Sequence, residues 1–133
     1  MPEPVRYEGI HCTLELLRPA AHVTVVRFSG RDVGELRDAP LRALAEDLQR
    51  EPLRLFLDAR DSQGWAVDVS DAWARWLRQH RERLAAVTML TSTRFMRLTA
   101  EQVRRSAELG PRMSLTEDAA AFDAALAAAT SQA

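Results

Sequence analysis

The hydrophobic and polar positions near the N-terminus alternate as they do in a β-strand with one solvent-facing side. Apolar and polar residues take turns over residues 12–16, which is the two-residue period of a strand, and this segment is predicted to lie at a sheet edge. Residues 23–28 are β-branched and almost all apolar, and the run stops at Ser29-Gly30. Together the two segments predict a hairpin that opens the folded domain.

After the hairpin the hydrophobic period lengthens, and helices alternate with strands. Four apolar positions between 41 and 48 share one helix face, behind the start signal of Asp38 and Pro40. The later predicted elements are a strand at 53–58, a loop at 59–68, a helix that opens at Ser70, a strand at 85–90, a helix at about 93–108, a strand at 112–115 and a helix capped by Thr116. This order predicts an α/β fold with a mixed five-stranded sheet, parallel after its first pair, and about four helices.

The length and composition predict one domain. A chain of 133 residues with 47% hydrophobic residues can build a single packed core. Residues 1–10 contain Pro2 and Pro4 and are expected to form a flexible leader. Residues 11–129 are expected to form the domain, and residues 130–133 a disordered tail.

The charge pattern excludes several classes of function. All 18 basic residues are arginine. Because phosphate-binding loops, Schiff-base enzymes and receiver-type phosphorylation sites each require a lysine, these classes are excluded. The net charge of -1 provides no single-sign field for nucleic acid or an anionic membrane. No segment approaches the roughly 18 apolar residues of a membrane span. Cys12 is the sole cysteine, which suits a reducing cytoplasm, so a cytoplasmic protein is expected.

The sequence predicts no metal, no cofactor and no catalytic residue. The nitrogen and sulfur candidates are His11, Cys12, His22 and His80. His11 and Cys12 are adjacent and would point to opposite faces of a strand, and neither H-x-x-x-H nor C-x-x-C occurs. The G-x-S-x-G elbow of serine hydrolases is absent as well, and residues 29–34 have the wrong glycine spacing for a dinucleotide.

The segment from Asp58 to Trp76 has the most unusual composition, because it holds all three tryptophans and several acidic residues. Asp58 ends a predicted strand, where its carboxylate is expected to accept hydrogen bonds from neighbouring amides. Trp65 follows a glycine in the predicted loop. Its ring either folds back as a lid on the core or stays outside as an interface anchor.

The layout of hairpin, helix, Leu57-Asp58 strand, serine-capped helix and apolar strand at 85–90 resembles the STAS domain, in particular its SpoIIAA-like and Sec14-like branch. The segment at 113–122 is similar to that family's last strand and the acidic start of its terminal helix. The resemblance implies helices packed mainly on one face of the sheet. It also implies a non-enzymatic regulatory module that binds an anti-sigma factor, a kinase or a scaffold-type protein, either as a monomer or as a homodimer.

In the anti-sigma factor antagonists of this family a serine or threonine at the start of the second helix is phosphorylated, within a pattern close to Asp-Ser-Ser/Thr-Gly. The corresponding stretch here is Asp68-Val69-Ser70-Asp71, which keeps one serine and makes Ser70 the candidate phosphoacceptor. The partner-binding residues that the resemblance implies are Asp58, Trp65, Asp68, Ser70, Asp71 and Arg75. The helix N-terminus would stabilise a phosphate on Ser70, whereas Asp68 and Asp71 would repel it.

Two other functions stay open. The Sec14-like branch implies a domain that binds a lipid or another small ligand, and apolar helix faces can open a cavity for it. An enzyme with a dispersed acidic site, such as Asp58 with Asp61 or Asp68, would need carboxylates in perturbed environments.

Overall fold

The alternating and β-branched segments near the N-terminus form the antiparallel part of the sheet. The computed structural model describes residues 4–132. Strand β2 covers Cys12–Ala20 and β3 covers Val23–Asp32. The two strands pair antiparallel around a tight turn in which His22 has a φ of 65°, so the predicted hairpin is confirmed. Strand β1, Val5–Glu8, pairs antiparallel with the other edge of β2.

Strand–helix units complete the sheet. The remaining elements are α1 (Ala39–Arg50), β4 (Leu53–Trp65), α2 (Val67–Gln79), β5 (Leu84–Thr91), α3 (Arg94–Ser106), β6 (Met113–Thr116) and α4 (Ala119–Gln132), with short 3-10 turns at Arg81–Arg83 and Gly110–Arg112. Strands β3 to β6 pair in parallel, and the six strands lie side by side in chain order. The α/β class, the mixed sheet and the four helices agree with the prediction.

The main core lies between one face of the sheet and helices α1, α2 and α3. Because side chains alternate along a strand, Leu55 and Leu57 of β4 face this core. They pack with a buried leucine or methionine from each helix: Leu44 of α1, Leu77 of α2 and Met96 of α3. Helix α4 covers the opposite face, where Phe122 and Ala129 pack on Val25, Phe56 and Leu90. Three helices thus share one face, and the fourth closes the other.

The predicted count of five strands is wrong, because residues 5–8 form a sixth. Hydrogen bonds from the Ile10 and His11 amides to the Glu35 carboxylate fix the turn after β1, at 2.9 Å each. Strand β1 therefore covers the outer edge of β2. The prediction that β2 is an edge strand is wrong. Residues 1–3, the start of the expected leader, lie outside the described residues.

Two other boundaries also differ from the prediction. The expected loop at 59–68 is largely strand, because β4 pairs with β3 as far as Trp65 opposite Asp32, with register shifts on the way. The expected tail is helical as far as Gln132, and the Thr130 and Ser131 hydroxyl groups donate hydrogen bonds to carbonyl groups one turn earlier in α4. Ala133 lies outside the described residues. Within residues 4–132, every helix is too short or too polar to serve as a membrane-spanning segment.

Candidate functional site

Ser70 lies inside α2 rather than at its cap, which corrects the predicted helix start. The helix begins at Val67, with Ala66 as its N-cap residue, so Ser70 is its fourth residue. The Ser70 amide already donates to the Ala66 carbonyl at 3.1 Å. Its hydroxyl lies 3.2 Å from the Ala66 and Val67 carbonyl oxygens. A phosphate at this position would therefore not meet the free amides that a cap position offers.

Trp65 lies at the end of β4 and is buried in an aromatic cluster. Its ring stacks on Trp73 with a centroid distance of 5.8 Å and lies 5.0 Å from Phe28. Of the two orientations considered for Trp65, the structure has the ring folded onto the core. A direct contact between this indole and a partner would require the ring to leave that cluster.

A groove between α2 and α3 concentrates exposed apolar surface. Val67 of α2 and Phe95 and Leu98 of α3 are 73%, 59% and 51% exposed, and all three line the groove together with Ser70. Val33, also exposed, lines a neighbouring depression that shares Phe95. We call the surface of Val67, Ser70, Asp71, Ala74, Phe95, Leu98, Thr99, Gln102, Val103 and Ser106 the α2–α3 groove. Contiguous exposed apolar surface of this kind is typical of an interaction site.

The other predicted contact residues separate around α2. Asp71 lines the α2–α3 groove beside Ser70, whereas Asp68 faces a different cavity between α2 and the loop after β3. Arg75 is exposed one turn after Asp71. The structure therefore brings Ser70 and Asp71 together and places Asp68 on another side of the same helix.

Asp58 lies on the sheet face that α4 covers, away from Ser70. Its side chain is only 7% exposed, and its two carboxylate oxygens lie 3.0 and 3.1 Å from Arg60 Nε. Arg60 also contacts Asp123 of α4 at 2.6 Å. These hydrogen bonds, first to Asp123 and then to Asp58, raise the pKa of Arg60. Asp58 thus ties β4 to α4, and the proposed acidic pair with Asp68 does not form.

The cavity that Asp68 faces also contains a buried carboxylate that the sequence analysis did not single out. This β3–α1 pocket, about 270 Å³ in volume, lies between α2, α1 and residues 33–38. Asp32 lines it and is 8% exposed. Its carboxylate accepts a hydrogen bond from the Gly34 amide at 3.0 Å. Burial, reinforced by the nearby Glu35 charge, raises the pKa of Asp32 despite that hydrogen bond.

The cysteine and the histidines do not assemble a reactive site. Burial, with the charges of Asp32 and Glu35, raises the pKa of Cys12 to about 11, so the thiol stays protonated at neutral pH and is a poor nucleophile. Among residues 4–132, no group of three histidine, cysteine or acidic side chains is arranged to hold a metal ion.

Sequence reasoning missed the exposed apolar residues of α3. The buried positions of α3 are Met96, Ala100 and Val103. Phe95 and Leu98 are three positions apart, so they share a helix face that lies outside this buried stripe. Two large apolar residues outside the stripe are the signal that could have identified the groove.

Solved structures with the same fold match this chain over most of its length. A DUF3478-family protein of Shewanella loihica PV-4, with a SpoIIAA-like fold, has 12% identity and a TM-score of 0.60, over 95% of this chain and 98% of its own. The anti-sigma factor antagonist SpoIIAA in its unphosphorylated form has 12% identity and a TM-score of 0.62, over 84% and 95%. An anti-sigma factor antagonist from Mycobacterium paratuberculosis has 15% identity and a TM-score of 0.58, over 87% and 94%.

No protein-family model and no curated protein matches the sequence. The structural matches show that the chain has a SpoIIAA-like fold, which confirms the resemblance seen in the sequence. At 12–15% identity they establish the fold alone.

Proposed function

We propose that this chain is a non-enzymatic, cytoplasmic regulatory module that binds another protein through the α2–α3 groove. The observation that carries the proposal is the exposure of Val67, Phe95 and Leu98 along one groove. Burying a fully exposed side chain of this kind is worth about 1.5–3 kcal/mol, and these three retain between half and three quarters of their exposure. A partner that covers them gains the corresponding part of this free energy. Two of the solved structures that share the fold are named as anti-sigma factor antagonists, and the partner class proposed here is an anti-sigma factor or a related kinase or scaffold.

We further propose that phosphorylation of Ser70 releases the partner. A phosphoserine carries a charge of about -1.5 to -2 at neutral pH. On Ser70 this charge would enter an apolar groove beside Asp71, and the intrahelical hydrogen bond of the Ser70 amide leaves that donor unavailable to it. The modification would therefore weaken an apolar interface by desolvation and repulsion rather than stabilise the helix.

The experiment starts with photocrosslinking in the native host. A benzoylphenylalanine replaces Phe95, and mass spectrometry identifies the protein that crosslinks to it; the same probe at exposed Glu46 on α1 is the positional control. Binding of the purified partner is then measured by calorimetry. We expect Phe95→Ser and Leu98→Ser each to weaken binding tenfold or more, which is about 1.4 kcal/mol or more.

Ile10→Ser is the matched control, because Ile10 is 90% exposed and lies outside the groove. It should leave the affinity unchanged. Ser70→Glu should weaken binding, whereas Ser70→Ala should not. If the groove variants and Ile10→Ser bind the partner equally well, the groove is not the interface. If Ser70→Glu also binds like the wild type, the switch is wrong even where the groove is right.

A further inference from the structure

The β3–α1 pocket has the chemistry of a small-ligand site that is separate from the α2–α3 groove. Its walls are apolar and include Leu14, Leu36, Leu41 and Trp73. Its volume of about 270 Å³ is near the lower end of the range for ligand pockets, which suits a compact molecule. Asp32, more than nine-tenths buried, supplies a polar group within these apolar walls.

The Asp32 carboxylate lacks a countercharge within the described chain. The Gly34 amide is its hydrogen-bond donor, and the neighbouring charge that acts on it is another carboxylate, that of Glu35. A buried carboxylate without a cation is costly unless something neutralises it or bonds to it. This environment therefore favours a positively charged group inside the pocket.

The rim of the pocket reinforces the preference for a cation. Asp38 and Asp68 line it together with one arginine, Arg37. Asp38 also lies 3.5 Å from Arg42 of α1, where both side chains are largely exposed. An anionic ligand would meet an uncompensated negative charge at the buried carboxylate. An inorganic metal ion is disfavoured too, because residues 4–132 offer no group of three suitable ligands.

We propose that the β3–α1 pocket binds a small organic amine, with its ammonium group on the Asp32 carboxylate and its apolar body against the Leu14 and Trp73 walls. An ammonium donates charge-assisted hydrogen bonds, which are about twice as strong as neutral ones. The apolar body adds hydrophobic burial. The site uses a different side of α2 from the groove, so it is a binding activity beyond the proposed partner recognition.

The test compares three ligands with the same phenyl body and different heads. Phenethylamine, 2-phenylethanol and 3-phenylpropanoate are titrated into the full chain by calorimetry and by amide NMR. We expect phenethylamine to bind with a Kd of about 1 mM or below, 2-phenylethanol at least tenfold more weakly, and 3-phenylpropanoate not at all. The amide shifts should concentrate in residues 33–38 and the first turns of α2.

Two variants connect the binding to the pocket. Asp32→Asn retains an oxygen that accepts from the Gly34 amide but removes the negative charge. It should weaken the binding of phenethylamine tenfold or more and leave the affinity for 2-phenylethanol unchanged. Ala72→Phe should fill the cavity from α2 and abolish binding of both. Asp61→Asn, an exposed aspartate outside the pocket, should bind like the wild type.

Three results would overturn the proposal. Equal affinity for phenethylamine and 2-phenylethanol would reduce the site to an apolar cavity. Unchanged phenethylamine binding by Asp32→Asn would show that the buried carboxylate does not recognise the amine. No saturable binding of phenethylamine to the wild-type chain at millimolar concentration, with NMR spectra that show both variants folded, would mean that the pocket does not bind amines.

Discussion

Two buried aspartates in this molecule sit in opposite electrostatic environments. The carboxylate of Asp58 contacts Arg60 at 3.0 Å and lies 4.0 Å from Arg27, so its charge is compensated. The carboxylate of Asp32 has an amide donor and a neighbouring acid, Glu35. Since the cost of burying a charge depends on its partners, the same substitution should have opposite effects at the two positions.

Replacing Asp58 should destabilise the fold. Asp58→Asn removes the negative charge that pairs with the Arg60 guanidinium. Arg60 then keeps Asp123 as its remaining carboxylate partner. Removing one partner of a buried pair costs about 3–5 kcal/mol. Because Arg60 stays partly solvated and paired, we expect a loss of about 2 kcal/mol, measured by urea unfolding.

Asp61→Asn is the control for this substitution, since Asp61 is exposed on the same strand. Its effect should stay within about 0.5 kcal/mol. If Asp58→Asn unfolds at the same urea concentration as Asp61→Asn, the carboxylate does not hold α4 to the sheet.

Replacing Asp32 should stabilise the fold at neutral pH. Burial and the Glu35 charge raise the pKa of Asp32 above its ordinary value of 3.8. The folded state therefore holds the proton more tightly than the unfolded state, and stability falls as pH rises from 3.8 through the raised pKa. Asp32→Asn is neutral at every pH and avoids that loss.

Thermal unfolding of Asp32→Asn and the wild type across pH 3–8 measures this difference. The variant should melt higher at pH 7, and the gap should close as the pH falls below about 3.8, where the wild-type carboxyl is protonated in both states. A variant that melts lower at pH 7 would mean that the carboxylate has a stabilising partner. A stability cost retained at this position is the pattern expected of a binding site.

At the scale of elements, the periodic segments were predictable and their ends were not. Strand β2 and the three core-facing helices follow from periods of two and 3.6 residues, whereas β3 and β5 follow from runs of apolar and β-branched residues. The start of α2 did not follow, because Ser70-Asp71 matches a cap by residue type. The structure begins the helix at Val67, directly after β4 ends at Trp65, since pairing with β3 extends that strand through a polar sequence.

The candidate site was predictable to the extent that it depends on α2. Ser70 and Asp71, two of the contact residues that the resemblance implies, line the α2–α3 groove. Phe95 and Leu98 belong to α3, a separate helix further along the chain, and the parallel crossover between β5 and β6 brings that helix beside α2. Asp32 could not be identified for a related reason, because its burial depends on α1 and α2 packing over the end of β3.

For the whole molecule, the sheet separates two apolar layers of unequal size. Helices α1, α2 and α3 share the larger layer, whereas α4 alone covers Val25, Phe56 and Leu90 on the opposite face. Phe122 is the large buried side chain of α4, and its ring meets Phe56 edge to face at 5.7 Å. The attachment of α4 therefore depends on this residue more than on the alanines around it.

Phe122→Ala should lower the free energy of unfolding by about 3 kcal/mol, from lost burial and the cavity left behind. Phe95→Ala is the matched control, because Phe95 is 59% exposed in the groove, and it should change stability by no more than about 0.5 kcal/mol. Urea unfolding gives both values. Hydrogen exchange should also speed up in α4 for Phe122→Ala and not for Phe95→Ala. Equal losses for the two variants would mean that burial of the Phe122 ring does not stabilise the attachment of α4 to the sheet.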